Sequence, residues 1–454
     1  MTTYQDYLAA PSPLEFLLNA VSTYKTSAEF QRALEAQAYF RAENPTVMQK
    51  TILRAGKLES RDEQGLIRTR PVTQDVVGNR VSSAFLFRFV TQQNQYLLAE
   101  GPTMNADARA ALGEDFDRVL SHLGETALVQ GGAWGFWNAD HLEVIELAKN
   151  ALSGFLPLLD EMDGRIRLGV QFWQLEEQRP MYLRVFDEYG TAIWRVTGRK
   201  LDIAQPLTPY IRLKKADALG EELIPTQAWD ELPLIPLWAN PEHRSELTAG
   251  IRAKIDAYDR ILSDFADNLD RANDVYWVLN NFGGTSEDIA CLLEEISRIK
   301  AVASISDGSG SATAEPKTIE VPYEARRAAL HLLERALYRD YMALDMDELT
   351  GGSLTNVAIR AATANLNLKS DRYEWQILQF LHALCRLLRL TPGPIRFRRQ
   401  TIANESETIR DIAAMRSDIT HRKALELNPY VQPEEVESLE AEAEEEGENG
   451  KLPF

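Results

Sequence analysis

Residues 247–276 read LTAGIRAKIDAYDRILSDFADNLDRANDVY, and the spacing of apolar residues in that stretch decides the architecture. Leu247, Ile251, Ile255, Tyr258, Leu262, Phe265, Leu269, Ala272 and Tyr276 recur at intervals of three and four. A helix turns once in about 3.6 residues, so this pattern draws one apolar stripe along it. Sustained over about four heptads, the stripe suits a long core helix or a helix that packs against copies of itself. In the second case Ile251, Ile255, Tyr258, Leu262, Phe265 and Leu269 form an oligomer face. A second helix opening at Pro322 carries Leu330, Leu333, Leu337, Tyr341 and Leu344 on one side, and Leu333 and Leu337 join that face.

Between these helices, Gly283-Gly284 breaks the chain and Thr285/Ser286 opens a short helix reaching Ile299. Val302–Ser306 and Thr318–Val321 read as strands flanking the flexible segment 307–312. After the second helix comes a polar loop, residues 345–356, with Asp345, Asp347 and Glu348 and no base. Gly351 and Gly352 give it conformational freedom. Ser353, Thr355 and Asn356 are placed to hydrogen-bond a ligand's backbone or to cap the next helix. That helix is expected from Val357 to Leu390, stopped by Thr391-Pro392-Gly393-Pro394. A strand at Ile395–Ile402 follows, then a helix opened by an Asn404/Glu407 capping pair and running to Arg416, and another at Asp418–Leu427.

Upstream, Ser12-Pro13-Leu14-Glu15 reads as a capping box with Pro at the first helical position. Helices are expected to about Tyr24, at 28–41, at 81–98 and at 107–123. Residues 50–80 are polar, contain Gly56, Gly65, Pro71 and Gly78, and read as an extended arm or loop. From Ala127 to Leu213 the period shortens towards two, with strands at Leu183–Phe186, Ala192–Val196 and Tyr210–Leu213 of a mostly antiparallel sheet. Leu232–Leu237, punctuated by Pro233 and Pro236, is an edge strand or a linker. The fold class is α+β, with helices dominating the C-terminal half.

The chain has 454 residues, 44% of them hydrophobic, enough for a sizeable core. No apolar run approaches the ~20 residues of a membrane span, and the N-terminus lacks the basic opening of a signal peptide. Two cysteines, Cys291 and Cys385, exclude a disulfide framework and a cysteine zinc site, and each reads as core. Net charge is −19, nearly half of it from nine glutamates between 434 and 448. A chain that grips nucleic acid would be basic, so tight DNA binding is not expected.

Enzyme signatures are missing. A phosphate-cradling loop needs a Gly-Lys-Ser or Gly-Lys-Thr, and none occurs. Gly308-Ser309-Gly310 lacks the third glycine of a dinucleotide fingerprint, and there is no His-Glu-x-x-His or Gly-x-Ser-x-Gly. The six histidines include no pair at ligand spacing, and Asp140, His141 and Glu143 read as a solvated turn. No catalytic residue, metal or cofactor is expected.

Several segments, in order, resemble the portal proteins of tailed bacteriophages, of the siphophage type. They are Tyr39-Phe40-Arg41-Ala42-Glu43-Asn44-Pro45, Asn79-Arg80-Val81, and Tyr96-Leu97-Leu98-Ala99-Glu100-Gly101-Pro102. Residues 232–240 follow, then Ile255-Asp256-Ala257-Tyr258-Asp259-Arg260-Ile261-Leu262-Ser263-Asp264. Leu279–Thr285, Ile319–Ala325, Leu366–Lys369, Ser417–Thr420 and Asn428–Val431 complete the match. The family often has Ser-Gly-Val-Ala-Leu where this chain has Ser353-Leu354-Thr355-Asn356-Val357-Ala358-Ile359.

The resemblance implies a ring of about twelve subunits around a channel. It implies a wing at 1–240, stem helices at 241–278 and 322–344, and a clip at 279–321. A tunnel loop follows at 345–356, a further wing helix and strand at 357–403, and a crown with the acidic tail at 404–454. Asp345, Asp347, Glu348, Gly351, Gly352, Ser353, Thr355 and Asn356 would then line the DNA channel. Implied partners are double-stranded DNA in passage, the terminase large subunit, major capsid and scaffolding proteins and a head–tail adaptor, without a membrane. The location would be the portal vertex of the virion, reached from the host cytoplasm. ATP-driven packaging would belong to the separate terminase. The alternative is a cytosolic oligomeric helical scaffold without a DNA role.

Overall fold

A computed structural model describes residues 2–61, 67–198, 200–217, 220–226, 229, 231–272, 276–280, 313–317, 323–346, 355–399, 405–415, 419–428, 430–431, 436 and 438–441. The helices are α1 (Tyr4–Ala9), α2 (Pro13–Lys25), α3 (Ala28–Phe40), α4 (Pro45–Met48), α5 (Phe85–Leu98), α6 (Ala106–Leu112) and α7 (Phe116–Gln130). They continue as α8 (Ala249–Ala272), α9 (Tyr323–Tyr341), α10 (Asn356–Leu387), α11 (Glu405–Ala414) and α12 (His421–Leu427). The strands are β1 (Thr51–Arg61), β2 (Ile67–Val77), β3 (Pro102–Thr103), β4 (Gly132–Asn138), β5 (His141–Glu146), β6 (Ala148–Asn150), β7 (Ser153–Leu159), β8 (Ile166–Trp173) and β9 (Met181–Phe186). Then come β10 (Thr191–Thr197), β11 (Lys200–Thr208), β12 (Ile211–Asp217), β13 (Gly220–Thr226), β14 (Leu234–Trp238), β15 (Tyr276–Asn280), β16 (Thr313–Lys317) and β17 (Arg396–Phe397). The α+β class holds.

The chain divides into two compact units. The larger comprises 1–43, 84–252 and 336–454; the smaller comprises 44–83 and 253–335.

The larger unit is built on an antiparallel meander in the order β11-β10-β9-β8-β7-β6. Alternation along the strands sends side chains to two cores. Leu156, Leu158, Val170, Leu183 and Val185 meet Leu17, Val21 and Tyr24 of α2 and Phe30 and Ala33 of α3. Phe155 and Phe186 face the other way, onto Trp134, Phe136, Ile145 and Leu234 of the sheet β14-β4-β5. The segment with Pro233 and Pro236 is therefore an edge strand, where a missing N–H breaks no inner ladder. Helix α7 packs against α5 and β4 through Leu120, Leu123, Ala127 and Leu128, all at 0% exposure. It ends at Gly131, whose φ of +92° favours glycine.

Several boundaries differ from the sequence reading. Ser12 makes no side-chain cap, and the capping box lies earlier, at Thr3 and Asp6. Gly113, at φ +83°, divides what reads as one helix at 107–123 into α6 and α7. Of the strand expected at 395–402, residues 395–399 are described, and Arg396–Phe397 form β17, paired with β3. The Glu407 carboxylate accepts from the Asn356 N–H; Asn404, its expected capping partner, lies outside the described residues.

In the smaller unit, residues 50–80 form the hairpin β1–β2, in continuous antiparallel register from Thr51↔Val77 to Arg61↔Ile67. Gly56 and Pro71 inside these strands are what make the segment read as a loop. Helix α8 stops at Ala272, and Tyr276 opens β15, which pairs with β16. The expected strands at 302–306 and 318–321 and the short helix after Thr285 lie outside the described residues.

Candidate functional site

The segment of interest is 345–356. Asp345, Thr355 and Asn356 are described; Asp347, Glu348, Gly351, Gly352 and Ser353 lie outside the described residues. Its two roots lie in the larger unit.

The first root is the end of α9. Tyr341 is 2% exposed, stacks on Phe89 at 4.6 Å between ring centroids and donates its hydroxyl to Gln93 Oε1 at 3.0 Å. Burial raises this phenol well above its ordinary range, so it is a fixed donor. The helix closes with Met342 in the left-handed region at φ +66°. Ala343 N–H then donates to Tyr338 O at 3.0 Å and Met342 N–H to Arg339 O at 3.2 Å, a paired termination that satisfies carbonyls otherwise left open. The Gln92 amide next grips Leu344 from both sides. Its Oε1 accepts the Leu344 N–H at 2.9 Å, and its Nε2 donates to the Leu344 carbonyl at 3.0 Å. The Leu344 side chain packs with Tyr96 and Leu366.

The second root is the start of α10. Thr355 caps it, its hydroxyl accepting from Ala358 N–H at 3.2 Å. Asn356 N–H donates to Glu407 Oε2 at 2.5 Å, and Asn356 Nδ2 donates to Thr408 Oγ1 at 3.2 Å. Thr355 and Asn356 thus fix where the segment returns. The alternation of polar and apolar types in the sequence shows the cap but not its partner on α11.

The sequence-derived oligomer face divides by exposure. Ile251, Ile255 and Leu337 are buried within the single chain at 3%, 1% and 0%. Tyr258, Leu262, Phe265 and Leu333 are half-buried, and Leu269 is 48% exposed. The Phe265 ring lies 5.5 Å from that of Tyr323 in the same unit.

The apolar stripe gives no hint of a second row about a third of a turn round α8. Asp259, Ser263 and Asp267 recur every four residues and are 0%, 0% and 6% exposed. Four helical residues advance about 6.0 Å. Two residues of extended chain advance about 6.6 Å. An extended segment laid along this row can therefore present every second N–H to every fourth side chain. Residues 79–83 do so: Asn79 N–H donates to Asp267 at 2.7 Å, Val81 N–H to Ser263 Oγ at 3.0 Å and Ser83 N–H to Asp259 at 2.9 Å. The other side of the hairpin joins in. Asn44 Nδ2 donates to Asp259 at 2.8 Å, and Lys50 Nζ bonds Asp264 at 2.7 Å and Asp267 at 2.5 Å. Both ends of the β1–β2 hairpin are thus fastened to one helix face. Burial pushes the Asp259 carboxyl up, opposed by the Ser83 and Asn44 hydrogen bonds. For Asp267 burial acts the same way but is outweighed by Lys50 and Asn79, leaving it below the usual range. Asn44, Asn79 and the Asp259–Asp264 run come from separate stretches of the sequence, and the fold brings them into one polar lock.

Elsewhere, Asp140, His141 and Glu143 form an exposed ion-paired turn between β4 and β5, with His141 Nδ1 at 2.8 Å from Asp140. Cys385 is buried; Cys291 lies outside the described residues. Among the described residues, no group of three or more histidine, cysteine or acidic side chains is placed to hold a metal, and no helix is long and apolar enough to cross a membrane.

Comparison with known proteins adds the family. The chain is 24% identical over 365 residues to a portal protein of Clostridium phage phiCD119, covering 77% of this chain and 76% of that one. It is 23% identical over 398 residues to a portal protein of Bacillus phage SPP1, covering 81% and 76%. The family described as phage portal protein, SPP1 Gp6-like, matches residues 20–449. With nearly its whole length matched, the chain belongs to the SPP1 Gp6-like family of phage portal proteins.

Proposed function

We propose that copies of this chain, about twelve by family resemblance, close into a ring at one vertex of the phage capsid. Double-stranded DNA enters and leaves through its channel. The protein acts as a structural conduit without an active site, and the terminase large subunit, capsid and scaffolding proteins and a head–tail adaptor dock on it. Assembly takes place in the host cytoplasm. In this reading α8 and α9 belong to the stem, 279–321 to the clip, 404–454 to the crown and the larger unit mainly to the wing. Ring contacts use what the single chain leaves uncovered: Tyr258, Leu262, Phe265 and Leu269 on α8, Leu333 on α9, and Val357, Leu368 and Trp375 on α10, the last three 74%, 60% and 67% exposed.

The observation that carries the DNA-facing part is a short acidic segment between two pinned roots. Gln92 and Tyr341 hold one end and Glu407 and Thr408 the other. Asp345, Asp347, Glu348, Gly351, Gly352, Ser353, Thr355 and Asn356 form the passage lining. Its carboxylates keep phosphate from lodging, because phosphate affinity follows Lys and Arg contacts. Replacing Gly351 by Pro and Gly352 by Ala should leave rings intact and lower the yield of filled heads in a prohead–motor assay. Normal filling by intact mutant rings would contradict this assignment.

A further inference from the structure

Lys369 lies near the middle of α10, yet its side chain is only 14% exposed. Its Nζ is 2.7 Å from the Glu246 carboxylate, which is equally buried. The same Nζ donates to the Tyr341 carbonyl at 2.9 Å and sits over the Tyr341 ring. Tyr341 is the last residue of α9, so this carbonyl has no intrahelical partner, and a cation there meets the negative end of the helix dipole. Glu246 stands in the connector just before α8. One ammonium therefore joins three pieces of the larger unit: the connector, the end of α9 and α10. It borders a cavity of about 540 Å³ whose lining also includes Glu242, Arg244, Asp340 and Arg372. Three residues beyond Tyr341, the Gln92 amide holds Leu344. Lys369 and Gln92 thus grip successive points of the strand of chain leading into 345–356.

We propose that Lys369 is a positioning residue for the 345–356 segment: it fixes the point where that segment leaves α9 and ties this point to the connector ahead of α8. Its consequence for DNA rests on the channel reading above; its effect on the root does not.

The test uses full-length rings carrying Lys369→Met. Hydrogen exchange of a peptide spanning 341–346 is measured beside one from α7, and packaged DNA is measured in a prohead–motor assay. Loss of a charged hydrogen bond to the helix end should speed exchange at 341–346 roughly tenfold or more, with α7 unchanged. Faster exchange with less DNA packaged supports both the positioning role and the channel reading. Faster exchange with normal packaging supports the positioning role and overturns the channel reading. Unchanged exchange overturns the positioning role whatever packaging does. Lys369→Met leaves the buried Glu246 carboxylate without its cation, with only the Asn240 amide at 3.4 Å as a partner, so Glu246→Gln/Lys369→Met serves as the second variant and should show the same local exchange. Failure of both to fold would also overturn the proposal, making Lys369 a residue of general stability.

Discussion

Helices α7 and α8 are both amphipathic, and they use their two faces in opposite ways. Helix α7 hides Leu120, Leu123, Ala127 and Leu128. Helix α8 beyond Ile255 hides Asp259, Ser263 and Asp267, while Tyr258, Leu262 and Phe265 are half-covered and Leu269 is exposed. An apolar pattern identifies a face that gains from leaving water. It does not say whether the chain itself or another copy supplies the cover. The Asp259, Ser263 and Asp267 row of α8 instead gives acceptors to the N–H groups of Asn79, Val81 and Ser83, in a stretch that pairs with no strand among the described residues.

Substitutions on the two helices should therefore act through different losses. Leu120→Ala on α7 should cost about 2–5 kcal/mol through cavity formation. Asp259→Ala on α8 should cost about 2–3 kcal/mol, because the Ser83 N–H and the Asn44 amide lose their buried acceptor. Urea denaturation of each variant measures both. A neutral Asp259→Ala would mean that the polar row is only tolerated.

Acid should sharpen the contrast further. Asp267 is held below the ordinary carboxylate range, so its contribution is present above its unfolded pKa of about 3.9 and is lost as pH falls through the lower folded value. Asp259 is shifted upward, so protonating it favours the fold as pH drops from that raised value towards about 3.9. Asp267→Asn should flatten the acid limb of the stability profile. Asp259→Asn should keep that limb and remove the opposing gain. The smallest effect belongs to Leu262→Ala: about 1 kcal/mol or less in the dissociated chain, since Leu262 is only partly buried there.

Much of the fold was legible because period and punctuation agree with it. Helices α2, α3, α5 and α9, strands β9 and β10 and the proline-marked edge strand β14 all fall where the sequence places them, within a few residues. A cap among Ser353, Thr355 and Asn356 was legible, because a short polar side chain before an apolar run accepts from the first turn; Thr355 supplies it. The hairpin β1–β2 was hidden by Gly56 and Pro71. The polar row of α8 was hidden because a four-residue repeat of Asp and Ser looks like a solvated face until residues 79–83 are laid along it. The partners of Gln92, Lys369 and Glu407 are all far away in sequence, and no local pattern encodes such contacts.

In the proposed ring the apolar stripe of α8 is kept for a neighbouring copy. Phe265→Asp, examined by native mass spectrometry with circular dichroism as the control of folding, tests it most directly. An aspartate placed in a covered apolar contact is left without a partner, which is strongly unfavourable. Phe265→Asp should therefore yield folded single chains where the unsubstituted protein gives a closed ring. A Phe265→Asp protein that still assembles into the same ring would contradict the claim.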